Sequence, residues 1–208
     1  MKAVLQGGHR LTIPFIENTD LSSFSDAHET KSIPIIAANE LNILPAYKNL
    51  IWSVLHDNSS KVEMQYRLIS TFLGRICLSG DIRNMNIEQW SVLDNAINFY
   101  KKNINLIGNG FPFRYGPNIL NYNHPIGYQV SGFSDQDEFE NSNQILILIF
   151  QFDDVFNEKI SIPLLSKEWE IVDEYGENKI NLEHSESNFF VKLSNISYSA
   201  KAILLEKK

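Results

Sequence analysis

The chain carries one cysteine, Cys77, in 208 residues. No disulfide can form within it, which excludes the disulfide-stapled class of secreted fold. The neighbours of that cysteine, Ile76 and Leu78, are apolar, so a buried structural thiol is the expectation. A nucleophilic thiol would need an exposed, electropositive setting. Arginine is missing from the second part of the chain. All five arginines (Arg10, Arg67, Arg75, Arg83, Arg114) lie before residue 115. Residues 1–123 hold 10 acidic and 11 basic side chains, a net +1, whereas residues 124–208 hold 15 and 7, a net −8. Phosphate contacts need clustered Lys and Arg, so the acidic half is a poor nucleic-acid binder and no nucleic-acid partner is expected.

Long hydrophobic runs are also lacking. The longest, residues 145–150, falls far short of the roughly 20 residues that a bilayer span needs. Met1 to Leu5 are followed at once by Gln6-Gly7, too short an apolar stretch for a signal peptide. A cytoplasmic protein without a membrane partner is expected. The histidines His9, His28, His56, His124 and His184 are scattered without ligand spacing, and no phosphate-binding glycine loop occurs. No metal and no cofactor are expected.

What is present is an ordinary globular composition, 43% hydrophobic and 21% charged. Ala3-Val4-Leu5 reads as a short strand ending in Gly7-Gly8, with Arg10 just beyond. Paired glycines after a strand give either a plain turn or a close backbone approach to a ligand. Leu21 to Phe24 lead into Ser25-Asp26. That pair reads either as the cap of a helix starting near Ala27, with Glu29 in its first turn, or as an acidic group at a strand end. Residues 33–44 have helical spacing, and Leu50 to Leu55 read as a buried strand ending at His56. Glu63 to Leu73 form a helix with Met64, Leu68, Ile69 and Phe72 on one stripe, stopped by Gly74. Arg75 to Ser79 form a strand, with Gly80-Asp81 at its end. Asn86 and Gln89 make a capping box for a long helix. Its apolar residues Trp90, Leu93, Ile97, Tyr100 and Ile104 are expected to face the core.

Strands alternating with helices imply a parallel sheet. Residues 108–124 are a connector rich in Gly, Pro and Asn. After it, runs at 126–133, 143–152, 158–164, 169–175, 178–184, 188–194 and 196–206 alternate or are β-rich. Short strands at this spacing predict an antiparallel sandwich. The fold class expected is therefore α/β plus all-β, divided into residues 1–107 and 108–208.

Several stretches together resemble retaining α-galactosidases of glycoside hydrolase families 27 and 36. Gly7-Gly8-His9-Arg10 is similar to a Gly-Gly-x-Arg loop after the fifth barrel strand, and Ser25-Asp26 to the Ser-Asp that ends the sixth. Tyr66 to Leu68 and Phe72 to Ile82 resemble the approach to the last strand, and Ala96 to Lys101 the closing helix. The resemblance implies that residues 1–107 are a partial (β/α)₈ barrel, strands five to eight, followed by a C-terminal β-sandwich. It implies a hydrolase acting on α-galactosides or related α-glycosides, with Asp26 as general acid/base. Gly7, Gly8, Arg10, Ser25, Gly80 and Asp81 would border the sugar.

Retaining hydrolysis uses two carboxyls about 5–5.5 Å apart, and the family's nucleophile, in a Lys-x-Asp pattern, has no counterpart before Gly7. The chain alone is therefore expected to be inactive. A complementary N-terminal barrel chain or a homo-oligomer is the expected partner besides the sugar. The alternative is an inactive carbohydrate-binding or subunit-interaction module.

Overall fold

The computed structural model describes residues 4–6, 17–23, 29–154, 159–162, 168–184 and 189–208. The first part contains four short strands, β1 (Val4–Gln6), β2 (Leu21–Ser23), β3 (Leu50–His56) and β4 (Arg75–Asp81). Between and after them come helices α1 (Ile33–Glu40), α2 (Lys61–Thr71) and α3 (Ile87–Asn109). β1 pairs with β2 and β3 with β4, both parallel. A parallel bridge between Ser22 and Asn49 joins the two pairs. The strands therefore lie side by side in chain order, and among the described residues β4 is an edge. The barrel suggested by the sequence is not closed by the described residues.

Helix α2 is the centre of the core. Met64, Leu68, Ile69 and Phe72 are fully buried, as their spacing predicts. Each such side chain contributes about 1.5–3 kcal/mol by leaving water. Ser60 caps the helix by accepting the Glu63 N–H. Gly74 follows the helix for a reason of close approach: a Cβ there would stand 2.4 Å from the Asn49 carbonyl oxygen. That oxygen accepts the Arg75 N–H at 2.7 Å and starts the β3–β4 ladder.

The second part forms two antiparallel sheets. The larger has the order β5-β6-β7-β12-β9, built from β5 (Phe111–Tyr115), β6 (Tyr128–Ser134), β7 (Gln144–Gln151), β12 (Ser199–Lys207) and β9 (Trp169–Gly176). The smaller has the order β10-β11-β8, from β10 (Asn181–His184), β11 (Phe189–Lys192) and β8 (Lys159–Ile162). β5 lies inside the stretch expected to be a connector. Its pairing with β6 is a long-range contact that Phe111-Pro112-Phe113 does not announce.

β7 is buried on both faces. Leu146, Leu148 and Phe150 point into the core shared with α1, α2 and α3. Ile145, Ile147 and Ile149 point at Ile160, Ile162, Phe189 and Val191 of the small sheet. The layers thus run parallel sheet, helices, five-stranded sheet, three-stranded sheet. Polar ties fix the helix-to-sheet contact. Gln129 donates to the Pro34 carbonyl at 3.0 Å, Gln65 to the Gly176 carbonyl at 3.2 Å and Tyr175 to the Val92 carbonyl at 3.1 Å.

Two expectations are corrected. In α3 the buried residues are Gln89, Val92, Leu93, Ala96, Phe99, Asn103, Leu106 and Ile107, Ile97 and Tyr100 pack against the core half buried, and Trp90 is 39% and Ile104 48% exposed. The helix has two apolar stripes, and the five-stranded sheet and α2 take the one through Phe99. The other correction concerns β3, expected to be buried throughout. Ile51, Ser53 and Leu55 are buried against helices, but Trp52 is only half buried and Val54 and His56 are exposed.

Candidate active site

Because the four strands are parallel, their C-terminal ends point the same way; β1 and β2 end beside the start of β3, where Ser22 bridges Asn49, and β3 and β4 run on beyond them. β1 ends at Gln6, β2 at Ser23, β3 at His56 and β4 at Asp81. Gln6 and Ser23 are register partners, as are His56 and Asp81. Gly7 follows Gln6, and Phe24-Ser25-Asp26 follow Ser23. Gly7, Gly8, Arg10, Ser25 and Asp26 themselves lie outside the described residues. The chain thus enters both stretches from neighbouring strand ends.

One alternative for Asp26 loses ground on a described residue. Glu29 has extended backbone, φ −68° and ψ 148°, and precedes a short 3-10 turn at Thr30–Ser32. No helix running from Ala27 has Glu29 in its first turn.

Gly80 and Asp81 are described and stand at the end of β4. Gly80 has φ +95°, and a Cβ on it would lie 2.0 Å from the Leu55 carbonyl oxygen. Only glycine lets β4 stay in register with β3 here. Asp81 is exposed and pairs with Arg83 Nε at 3.5 Å, a contact worth little in water.

The same face of the sheet holds a residue that the sequence did not single out. Trp52 lies between Ser23 and Cys77 across the strands, and its indole N–H donates to Ser23 Oγ at 2.7 Å. It offers an indole surface below the strand ends. The alternation of burial along β3 reveals it, and a continuous apolar run conceals it. Cys77 beside it is half buried, and desolvation raises its thiol pKa, so the thiol is not activated.

The loops behind the strand ends are pinned. Gln89 donates to the carbonyls of Asp57 at 2.8 Å and Ser59 at 2.9 Å. Arg67 donates to the Val54 carbonyl and pairs with Glu63. These contacts tie the β3–α2 connection to both following helices. Among the described residues no three His, Cys, Asp or Glu side chains cluster as a metal site, and no helix is long and apolar enough to cross a membrane.

No protein-family model matches the chain, and no curated protein matches it. Solved structures do. A variant of the GH36 alpha-galactosidase AgaA from Geobacillus stearothermophilus, in complex with raffinose, matches with a TM-score of 0.69 at 13% identity, over 93% of this chain and 27% of that one. The alpha-galactosidase from Lactobacillus brevis matches with a TM-score of 0.68 at 11% identity, over 93% and 27%. The galactosidase domain of the alpha-galactosidase-sucrose kinase AgaSK matches with 0.65 at 12%, over 92% and 26%. An alpha-amylase from H.orenii is similar over 94% of this chain with a TM-score of 0.54 at 9% identity. At these identities the likeness is one of fold. Nearly the whole chain has the fold of a segment about a quarter the length of GH36 alpha-galactosidases.

Proposed function

We propose that this chain is the C-terminal part of an α-galactosidase-like retaining glycoside hydrolase. Strands β1–β4 are then the last four strands of a (β/α)₈ barrel, and the antiparallel sheets are the domain that follows. Asp26 is the general acid/base. Gly7, Gly8, Arg10, Ser25, Gly80 and Asp81 border the sugar. The observation that supports this reading is that four parallel strands lie in chain order and point the same way, with Gln6 and Ser23 in register immediately before the two loops. Active sites of βα-barrels sit at the C-terminal strand ends.

A proton donor at Asp26 needs a second carboxylate within about 5–5.5 Å as nucleophile. In this reading it comes from the barrel half that the chain does not contain. The chain alone therefore binds sugar without hydrolysing it.

The test measures raffinose binding by calorimetry together with p-nitrophenol release from an α-galactoside. Binding that Arg10→Ala abolishes, with no release above the Asp26→Asn background, is expected. Absence of binding overturns the reading. Hydrolysis that survives Asp26→Asn overturns the role of Asp26.

A further inference from the structure

A cavity of about 640 Å³ lies where the turn before α1 and the first turn of α2 meet the turn before β12. Its size is that of a small-molecule site, and such sites favour the junction of two structural units. Val62 and Ile196 supply apolar wall, and Tyr66, only 1% exposed, closes the floor. The half-buried ring of Tyr198 stands edge to face with Tyr66, with planes at 87° and centroids 6.2 Å apart.

Tyr198 is held there against its backbone preference. Its φ is +53°, and among the described residues Asp154, at +58°, is the other non-glycine residue in the left-handed region. Asp adopts that conformation with some ease, whereas a bulky tyrosine does not. Hydrogen bonds fix the turn around it. Ser199 Oγ donates to the Ile196 carbonyl at 2.7 Å, the Ile196 N–H to Ser194 Oγ at 3.0 Å, and Ser197 Oγ to Asp153 Oδ1 at 2.7 Å. On the opposite wall Tyr66 Oη donates to the Lys31 carbonyl at 3.0 Å. The Tyr198 ring is thus set beside the cavity in advance, and strain of this kind gathers at ligand sites.

Charge around the ring selects the ligand. Asp153, Asp154 and Glu29 act on Tyr198 together with one ammonium, Lys31, which pairs with Glu29 at 3.2 Å. Glu63 in the wall is neutralised by Arg67. Two carboxylates remain in excess, so an anion is repelled. A cation gains both from the carboxylates and from the negative face of the tyrosine ring. The apolar wall then suits an uncharged body.

We propose that this cavity binds a small amphipathic amine, with its ammonium against Tyr198 and Asp153 and its apolar body against Val62 and Ile196. None of these residues belongs to the proposed sugar site, so the amine site stands or falls separately from Asp26.

The experiment is amide NMR of the isotopically labelled whole chain, titrated in turn with benzylammonium, benzyl alcohol and benzoate. The three probes share a ring and differ in charge. Benzylammonium is expected to bind with a Kd of about 1 mM, as suits so small a ligand, and to move the amide signals of Lys31, Val62 and Tyr198. Benzyl alcohol is expected to bind about fivefold more weakly, and benzoate more weakly still. Tyr198→Asn removes the ring but keeps a residue that tolerates the left-handed backbone, and benzylammonium should then bind about tenfold more weakly. Asp153→Asn can still accept the Ser197 hydroxyl, and it should weaken benzylammonium several-fold while leaving benzyl alcohol unchanged. Lys31→Met should strengthen benzylammonium several-fold by removing the competing ammonium. Circular dichroism checks that each variant is folded. Lys31→Met alters a side chain outside the core and carries the test should Tyr198→Asn not fold. No binding of benzylammonium overturns the proposal. So does an affinity for benzyl alcohol or benzoate as high as that for benzylammonium, a set of shifted signals confined to other residues, or an affinity that Tyr198→Asn or Lys31→Met leaves unchanged.

Discussion

Asn49 donates its side-chain N–H to Glu40 Oε2 at 2.9 Å, in a buried pair between the end of α1 and the start of β3. Asn49 is fully buried and Glu40 is 7% exposed. The side-chain oxygen of Asn49 has no hydrogen-bond partner. Asn49 also bridges to Ser22 and accepts the Arg75 N–H, so β2, β3 and β4 all meet at this residue.

Burial pushes the Glu40 carboxyl up from 4.5 to about 7, and the hydrogen bond from Asn49 only partly offsets it. The folded state therefore holds a proton that the unfolded state has released between those values. Stability falls as pH rises through that window, by up to about 3 kcal/mol at 1.36 kcal/mol per pKa unit. Glu40→Gln should abolish this slope and be the more stable protein at pH 8. Urea unfolding at pH 5 and pH 8 reads it, and equal slopes in both proteins would refute it.

Gly80→Ala should cost about 2 kcal/mol or more, since it combines a left-handed φ with a clash against the Leu55 carbonyl. Gly108→Ala should do the opposite. It sits in the last turn of α3 with nothing within 4 Å of its would-be Cβ, so the added helix propensity stabilises by about 0.5–1 kcal/mol. Denaturant midpoints of the two variants should move in opposite directions.

Gln89 does more than close a capping box. Its Oε1 accepts the Asn86 N–H at 2.9 Å, and its Nε2 serves two loop carbonyls, a part-buried one on Asp57 and a buried one on Ser59. Asn86→Ala should cost about 1 kcal/mol, the usual loss of a cap. Gln89→Ala should cost clearly more, because it strands the carbonyls of Asp57 and Ser59. Gln89→Glu should be worse at pH 8 than at pH 4, where a protonated carboxyl can still donate to one of them. Thermal unfolding of the three variants tests this ranking. Equal costs for Asn86→Ala and Gln89→Ala would reduce Gln89 to a cap.

The sequence by itself determined the elements whose signals are local. The stripe of α2, the Asn86–Gln89 box, the strand of Arg75 and its neighbours, and most antiparallel runs follow from period, capping and turn chemistry acting within a few residues. Tertiary structure decided which surfaces are used. The sequence of α3 offers two apolar stripes, and the five-stranded sheet selected the one through Phe99. Leu50 to Leu55 reads as uniformly buried, yet helices cover one face only. Phe111 to Tyr115 became a strand through its long-range partner β6. Gly74 and Gly80 are required by the carbonyls of Asn49 and Leu55, on a neighbouring stretch of chain. Local free energy fixes an element's type. Which face it buries depends on the layer that reaches it, and that layer is encoded far away in the chain.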